Sequence, residues 1–257
     1  MTLSTSDVER FAEHGYLVLP GFLPEALVSR LKPEVDKWVD GGHRAKTIAC
    51  CVDPETHGVP PLLEFEQDAH GELLANPSLL EALAQLMGPS FAFHHMHSDR
   101  QAPTLPGKPW HHDYEQSPQV DRAFTMVHTL HYLDGLGEDT ASLAVLPGSH
   151  RQVSEKTAYE DHDCASLPGE VVVDRLPKGS TIIVHSALFH ARRPRPVVGR
   201  TPRYFVDASY CQAGAAWPQV KPFWRNMLHR ARALGLDGGR WPDLFAEHHF
   251  SEYVKAA

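Results

Sequence analysis

Trp110-His111-His112-Asp113 contains a His-x-Asp pair, and a stretch rich in histidine and arginine follows far downstream, between residues 185 and 203. On an extended strand, residues two apart point to the same face. His111 and Asp113 therefore bring one imidazole and one carboxylate together without help from the rest of the chain. A second imidazole from another strand would complete a set of two histidines and one carboxylate on one side of a metal ion. The other side would stay open, which is the donor arrangement of non-haem Fe(II) oxygenase chemistry. His185 and His190 both compete for the third place. Their separation is odd, so on one continuous strand they would face opposite ways and only one would reach the metal without a bulge. Spacing alone does not choose between them.

A His-x-Asp pair by itself is a short motif that more often marks a surface ion pair than a metal site. Its context strengthens it: a Pro/Gly-rich stretch at 103–109 precedes it, so a loop would deliver the pair to a strand end that is open to small molecules. Arg192, Arg193, Arg195, Arg200 and Arg203 form the second clue. Most of them read as solvated hairpin residues. One that faced inward would need an anionic partner, and a dicarboxylate gripped by the guanidinium fork would supply it.

The elements that must position these groups are legible in outline. Ser6-Asp7-Val8-Glu9 fits a capping box with Ser6 as N-cap, and Val8, Phe11 and Ala12 make the apolar stripe of a helix that Gly15 ends. A short buried strand at 16–19 follows. Leu27, Leu31, Val35 and Trp38 predict a second helix, and Ser78 followed by Leu79, Leu80, Leu83, Leu86 and Met87 predicts a third, with Ser78 as its cap. From about residue 91 the texture changes to short β-rich runs at 91–97, 125–133, 142–146, 170–173, 180–185 and 204–210, separated by Pro and Gly. The expected fold is mainly β with flanking α. It is a double-stranded β-helix (a cupin-like jelly roll) with its core at about 91–212, N-terminal helices and a helical C-terminal tail. No repeat or linker divides residues 1–257, which read as a single domain.

Composition limits the function. At 42% hydrophobic and 22% charged, the 257 residues match an ordinary globular chain. The net charge of -8 argues against nucleic acid. No apolar run suits a membrane span and the first residues carry no signal-peptide pattern, so a cytoplasmic location is expected. The four cysteines form no Cys-x-x-Cys pair and read as reduced thiols. With 18 histidines in the chain, a histidine counts as a ligand candidate only through its neighbours.

These segments, taken in order, resemble the phytanoyl-CoA dioxygenase-like family of Fe(II)/2-oxoglutarate oxygenases. The run Phe11-Ala12-Glu13-His14-Gly15-Tyr16-Leu17-Val18-Leu19-Pro20-Gly21-Phe22-Leu23 is similar to the family's opening segment. Trp110-His111-His112-Asp113 is similar to its Trp-His-Gln-Asp signature, and Leu146-Pro147-Gly148-Ser149-His150 to its Pro-Gly-Ser-His turn. Val184-His185-Ser186-Ala187-Leu188-Phe189-His190 is similar to its distal-histidine segment, in which the second histidine is the ligand. Pro202-Arg203-Tyr204-Phe205 is similar to the strand that carries its 2-oxoglutarate arginine. There are departures: His112 stands where Gln is commonest, Ala191-Arg192 where the family commonly has Gly-Ser, and Asp139-Thr140-Ala141-Ser142 where an Asn-Gly often precedes the turn.

The resemblance implies Fe(II) on His111, Asp113 and His190, and 2-oxoglutarate as co-substrate with its distal carboxylate on Arg203. Arg203 is preferred to Arg200 because it opens the apolar run Tyr204-Phe205-Val206. Arg200 precedes Thr201-Pro202, and Pro cannot donate to a sheet ladder. His97 and Thr129 are further candidate contacts to the co-substrate, with His95 and Lys108 as weaker ones; His150 reads as a structural part of its turn. The implied activity is oxidation of a C–H bond in a small molecule by O2, with release of succinate and CO2. Asp113 retains the carboxylate that halogenases of this superfamily lose, so hydroxylation, desaturation or oxidative ring closure is expected. A specialised metabolite is the expected substrate by analogy. The rival reading is a metal-dependent hydrolase or cupin-like isomerase that uses the same triad without 2-oxoglutarate. Monomer and homodimer both remain open.

Overall fold

In the computed structural model, residues 2–102, 106–137, 140–194 and 202–255 are described. The chain opens with α1 (Thr5–His14), β1 (Tyr16–Leu19), α2 (Glu25–Asp40), α3 (His43–Val52), α4 (Pro54–His57), α5 (Asp68–Leu74) and α6 (Pro77–Met87). The β region follows as β2 (Phe91–Gln101), β3 (Lys108–His111), β4 (Met126–Tyr132), β5 (Leu143–Val145), β6 (Val171–Val173), β7 (Ser180–His185), β8 (His190–Arg192) and β9 (Arg203–Gln212), and α7 (Trp224–Ala233) comes last. Among the described residues, no helix is long and apolar enough to cross a membrane.

Two antiparallel sheets face each other. One has the order β1-β7-β4-β9-β2 and the other β3-β8-β5-β6. This is the jelly roll expected from the short runs, with the helices gathered before it and α7 after it. One apolar cluster runs from Leu3 and Phe11 through Leu31, Phe93 and Tyr210 to Phe245 and Phe250, which welds the helices and the C-terminal segment to the larger sheet. Leu27, Leu31, Val35 and Trp38, placed on one helical stripe by their spacing, are all buried.

Several local expectations shift. The first helix is capped by Ser4, not Ser6: its side chain accepts from the Asp7 amide at 3.2 Å, and the Asp7 carboxylate accepts from the Ser4 amide at 3.0 Å. This reciprocal box lies one half-turn earlier than the Ser6/Glu9 alternative and leaves Ser6 inside the helix. Asn76, not Ser78, caps α6, because Pro77 suits the first helical position and Asn76 Oδ1 takes the Leu79 amide at 3.1 Å. The expected helical tail is realised only in α7. The segment from Trp241 onward is held by aromatic packing, Phe91 on Trp241 at 5.2 Å and Phe93 on Phe245 at 6.0 Å, with a single short 3-10 turn at Glu247–His249.

Gly135 makes the tight reversal after β4 at φ +76°, and a Cβ there would lie 2.1 Å from the Leu176 carbonyl oxygen. The left-handed backbone costs a non-glycine residue roughly 1–2 kcal/mol, and the backbone contact adds to that. Gly135→Ala should therefore lower unfolding free energy by at least about 2 kcal/mol in urea titration. A midpoint equal to that of the parent would contradict this packing.

Candidate metal centre and co-substrate cavity

His111 ends β3 and His190 opens β8, and the two residues pair directly in the antiparallel register. Their rings lie 4.3 Å apart between centroids. Asp113 follows just past the strand, where its amide donates to the Ser186 carbonyl at 2.7 Å. One Asp113 oxygen lies 3.7 Å from His111 Nε2 and the other 3.3 Å from His190 Nε2. Each ring spends its other nitrogen on a carbonyl two residues back, His111 Nδ1 on Pro109 at 2.7 Å and His190 Nδ1 on Leu188 at 3.1 Å. A carbonyl only accepts, so Nδ1 carries the proton and Nε2 keeps its lone pair for a ligand role. His111 Nε2 is buried with no hydrogen-bond partner.

The electrostatics suit a cation. Burial first, and then the neighbouring His190, lower the His111 pKa to about 3, so this imidazole is neutral at ordinary pH. Burial would raise the Asp113 carboxyl. The close contact with His190 and the field of the neighbouring His128 outweigh that and hold it well below the usual carboxylate range. A neutral imidazole with a free, buried lone pair beside an ionised carboxylate is a donor set that a divalent ion would satisfy.

A chain reversal separates the two candidates for the third place. His185 and His190 are not on one strand, since β7 ends at His185 and β8 begins at His190. His185 turns away from the cavity. It stacks on Tyr114 at 5.9 Å, and its Nδ1 accepts the Ala187 amide at 3.1 Å. The Pro147-Gly148-Ser149-His150 turn fixes this reversal, because Ser149 Oγ accepts the Phe189 amide at 3.0 Å and Gly148, at φ +80°, donates to the His14 carbonyl. His150 is buried and structural, with Nε2 on the Ala12 carbonyl at 3.1 Å. His112 likewise points inward, to the Ser154 carbonyl at 3.0 Å, and Trp110 packs in the smaller sheet with its indole N–H on Ala165.

The three candidate ligands open onto a cavity of about 180 Å³ between the sheets. The alternation of β4 sends His128, Leu130 and Tyr132 into it, and β9 contributes Arg203, Phe205 and Asp207. His95, His97 and Gln101 line it from β2, and Lys108 and Arg192 from the opposite sheet. Arg203 is buried at 6% exposure. Its Nε donates to Gln101 Oε1 at 2.8 Å and its Nη1 to the Ala141 carbonyl at 2.7 Å, and it lies over the Tyr132 and Phe205 rings. Arg195 and Arg200 lie outside the described residues. Thr129 does not reach the cavity, which corrects its place among the co-substrate contacts. It sits between His128 and Leu130 and so faces the other way, with its hydroxyl donating to the Ala208 carbonyl at 2.8 Å. His97 does line the cavity, with Nδ1 3.7 Å from Asp207.

Sequence reasoning missed the pair His128–Asp207. His128 Nδ1 lies 3.0 and 3.1 Å from the two Asp207 oxygens, and both residues are buried. Burial alone would lower the His128 pKa, but the Asp207 charge and hydrogen bond raise it to about 9, and Asp207 is lowered in turn. His128 is therefore an imidazolium whose Nε2 has no partner among the described residues. One signal existed: a lone carboxylate inside the otherwise apolar strand Tyr204–Ala208 implies a buried cationic partner.

The family model "Phytanoyl-CoA dioxygenase (PhyH)" matches residues 11–194. The chain belongs to the phytanoyl-CoA dioxygenase family. As a member of that family it is a non-haem Fe(II)- and 2-oxoglutarate-dependent oxygenase. Solved structures share the fold at low identity. HygX from Streptomyces hygroscopicus with nickel and 2-oxoglutarate bound is 18% identical, with 86% of this chain and 93% of that one covered at a TM-score of 0.62. EctD from S. alaskensis with 2-oxoglutarate and 5-hydroxyectoine is 18% identical, with 82% and 77% covered and a TM-score of 0.62. The carbocyclase SnoK from nogalamycin biosynthesis is 16% identical, with 84% and 86% covered and a TM-score of 0.64. No curated protein sequence matches the chain.

The buried ion pair has a pH signature. The raised His128 pKa means its contribution to stability is complete below its ordinary value of 6.5 and lost as pH rises through about 9. The lowered Asp207 pKa contributes above its ordinary 3.8 and is lost as pH falls through its folded value. Asp207→Asn removes the cause of the upward shift and leaves burial to act alone. Histidine NMR titration should then show the His128 pKa fall from about 9 to below 6.5, and an unchanged value would mean that Asp207 is not the partner that matters.

Proposed function

We propose that His111, Asp113 and His190 hold the iron, that Arg203 receives the distal carboxylate of 2-oxoglutarate, and that residues 1–257 act as one catalytic unit oxidising a C–H bond of a small molecule. The observation that carries this is the cavity itself: two tautomer-locked imidazoles and an ionised carboxylate converge on it, and the same cavity is lined by a buried guanidinium. Once bound, the iron would activate O2 as the oxidant, with two electrons from 2-oxoglutarate as it is decarboxylated to succinate and CO2 and two from the substrate C–H bond.

The chain's own residues orient and shield. Gln101 and the Ala141 carbonyl hold the Arg203 fork in place, and the Tyr132 and Phe205 rings beneath it exclude water. Asp207 keeps the His128 imidazolium fixed beside the triad, where its unpartnered N–H can donate to an oxygen of a bound small molecule. Lys108 and Arg192 sit opposite each other across β3 and β8 and put positive charge on the cavity wall, although the whole chain carries -8. We infer hydroxylation or oxidative ring closure of a specialised metabolite. The retained Asp113 carboxylate and the fold shared with a nogalamycin carbocyclase support that reading. The buried C-terminal aromatics Trp217, Trp224 and Phe250 pack into the core and do not line the cavity.

Anaerobic titration of the apo-protein with Fe(II) and 2-oxoglutarate should give a weak visible charge-transfer band that needs both components. Metal binding without that band would favour the hydrolase or isomerase reading. Arg203→Ala should raise the 2-oxoglutarate KM by at least about 30-fold, the effect of removing about 2 kcal/mol of buried charge-assisted contact. A KM within a factor of two of the parent would move the co-substrate's carboxylate elsewhere.

A further inference from the structure

We propose that Asp243, His248 and His249 form a second metal site, outside the jelly-roll cavity, that takes a borderline divalent ion such as Zn(II). Their donor atoms all lie within 4.8 Å of one another. Asp243 Oδ1 is 3.3 Å from His249 Nε2 and 4.0 Å from His248 Nε2, and the two rings are 3.9 Å apart. Zn–N and Zn–O bonds of about 2.0–2.2 Å in a tetrahedron put neighbouring donors roughly 3.3–3.5 Å apart. The Asp243–His249 edge already has that length. Only His248 has to close further, and its side chain is 71% exposed and free to do so.

The buried ring of His249 points to a ligand here. His249 is 5% exposed, and its Nε2 has no hydrogen-bond partner, although it is directed at the cluster and lies near Asp243 Oδ1. A buried ring nitrogen without a hydrogen bond is destabilising, and a metal ion between it and the Asp243 carboxylate would satisfy both. The carboxylate is also held by an outer contact: Ser90 Oγ donates to Asp243 Oδ2 at 2.6 Å, which leaves Oδ1 for the ion.

The backbone around the cluster is fixed. The Phe93 amide donates to the Leu244 carbonyl at 2.8 Å, Trp217 to His249 at 2.8 Å, and Ser251 to Trp217 at 3.0 Å. An ion at this point would close the turn from Asp243 to His249 within the C-terminal segment. It shares no residue with the cavity lining. Its contribution would be to stability and not to turnover, with water completing the coordination.

Zinc calorimetry on the full chain tests this. The parent should bind two ions. Asp113→Ala should keep one of them, and that ion should raise the melting temperature. His248→Gln changes an exposed side chain, so it should fold normally. It should weaken the retained ion by at least about tenfold, since loss of even an outer-sphere partner costs that much. In the Asp113→Ala/His248→Gln chain the zinc-dependent rise in melting temperature should vanish. One ion in the parent, a second ion bound only at millimolar zinc, or unchanged affinity in His248→Gln would each overturn the site.

Discussion

The pairing of His111 opposite His190 in the β3–β8 ladder is the constraint on which the rest of the cavity depends. A register slip of one residue in either strand would turn an imidazole to the far face. The chain therefore invests several contacts in that register. Ser149 holds the Phe189 amide, Leu146 donates to the Phe189 carbonyl, and Val145 of β5 lies opposite His190 on its other side. The Pro147-Gly148-Ser149-His150 turn is thus a clamp on the strand that carries the candidate ligand His190, and it also ties that strand to the end of α1 through Gly148 and His150.

Charge is distributed so that the cavity tolerates both a cation and an anion. Three imidazoles near the triad behave differently for physical reasons. His111 is neutral because burial and a neighbouring ring disfavour its charge, and His95 follows the same rule. His128 is charged because Asp207 sits against it with both oxygens. Removing water strengthens that attraction, and the pair places a fixed positive N–H beside a carboxylate that a metal would neutralise. Two facing sheets can thus present a neutral candidate ligand and a cation to one cavity.

The segments that build the candidate site were legible because each is local. His111 and Asp113 are two residues apart, the reversal before His190 is written in its own turn, and Arg203 opens an apolar strand. What escaped the sequence was non-local. Helix α5 starts where Glu34 of α2 accepts the Ala69 and His70 amides at 2.9 and 3.1 Å, so its N-terminus is satisfied by another helix and has no local cap to read. His128 and Asp207 are 79 residues apart, and only the register of β4 on β9 brings them together. Thr129 failed for the opposite reason: it is adjacent to a cavity residue in sequence, and adjacency on a strand means the opposite face.

The two sheets divide the work in a way that follows from how a jelly roll is built. The smaller sheet contributes the candidate metal ligands, from strand ends where the backbone bends and where Asp113 can leave the ladder. The larger sheet contributes Arg203, His128 and Asp207 from continuous strands with buried apolar neighbours. A buried guanidinium or imidazolium needs partners that do not move, and a long central ladder provides them. A metal ion instead needs ligands that can adjust by fractions of an ångström as it enters, and loop-flanked strand ends allow that.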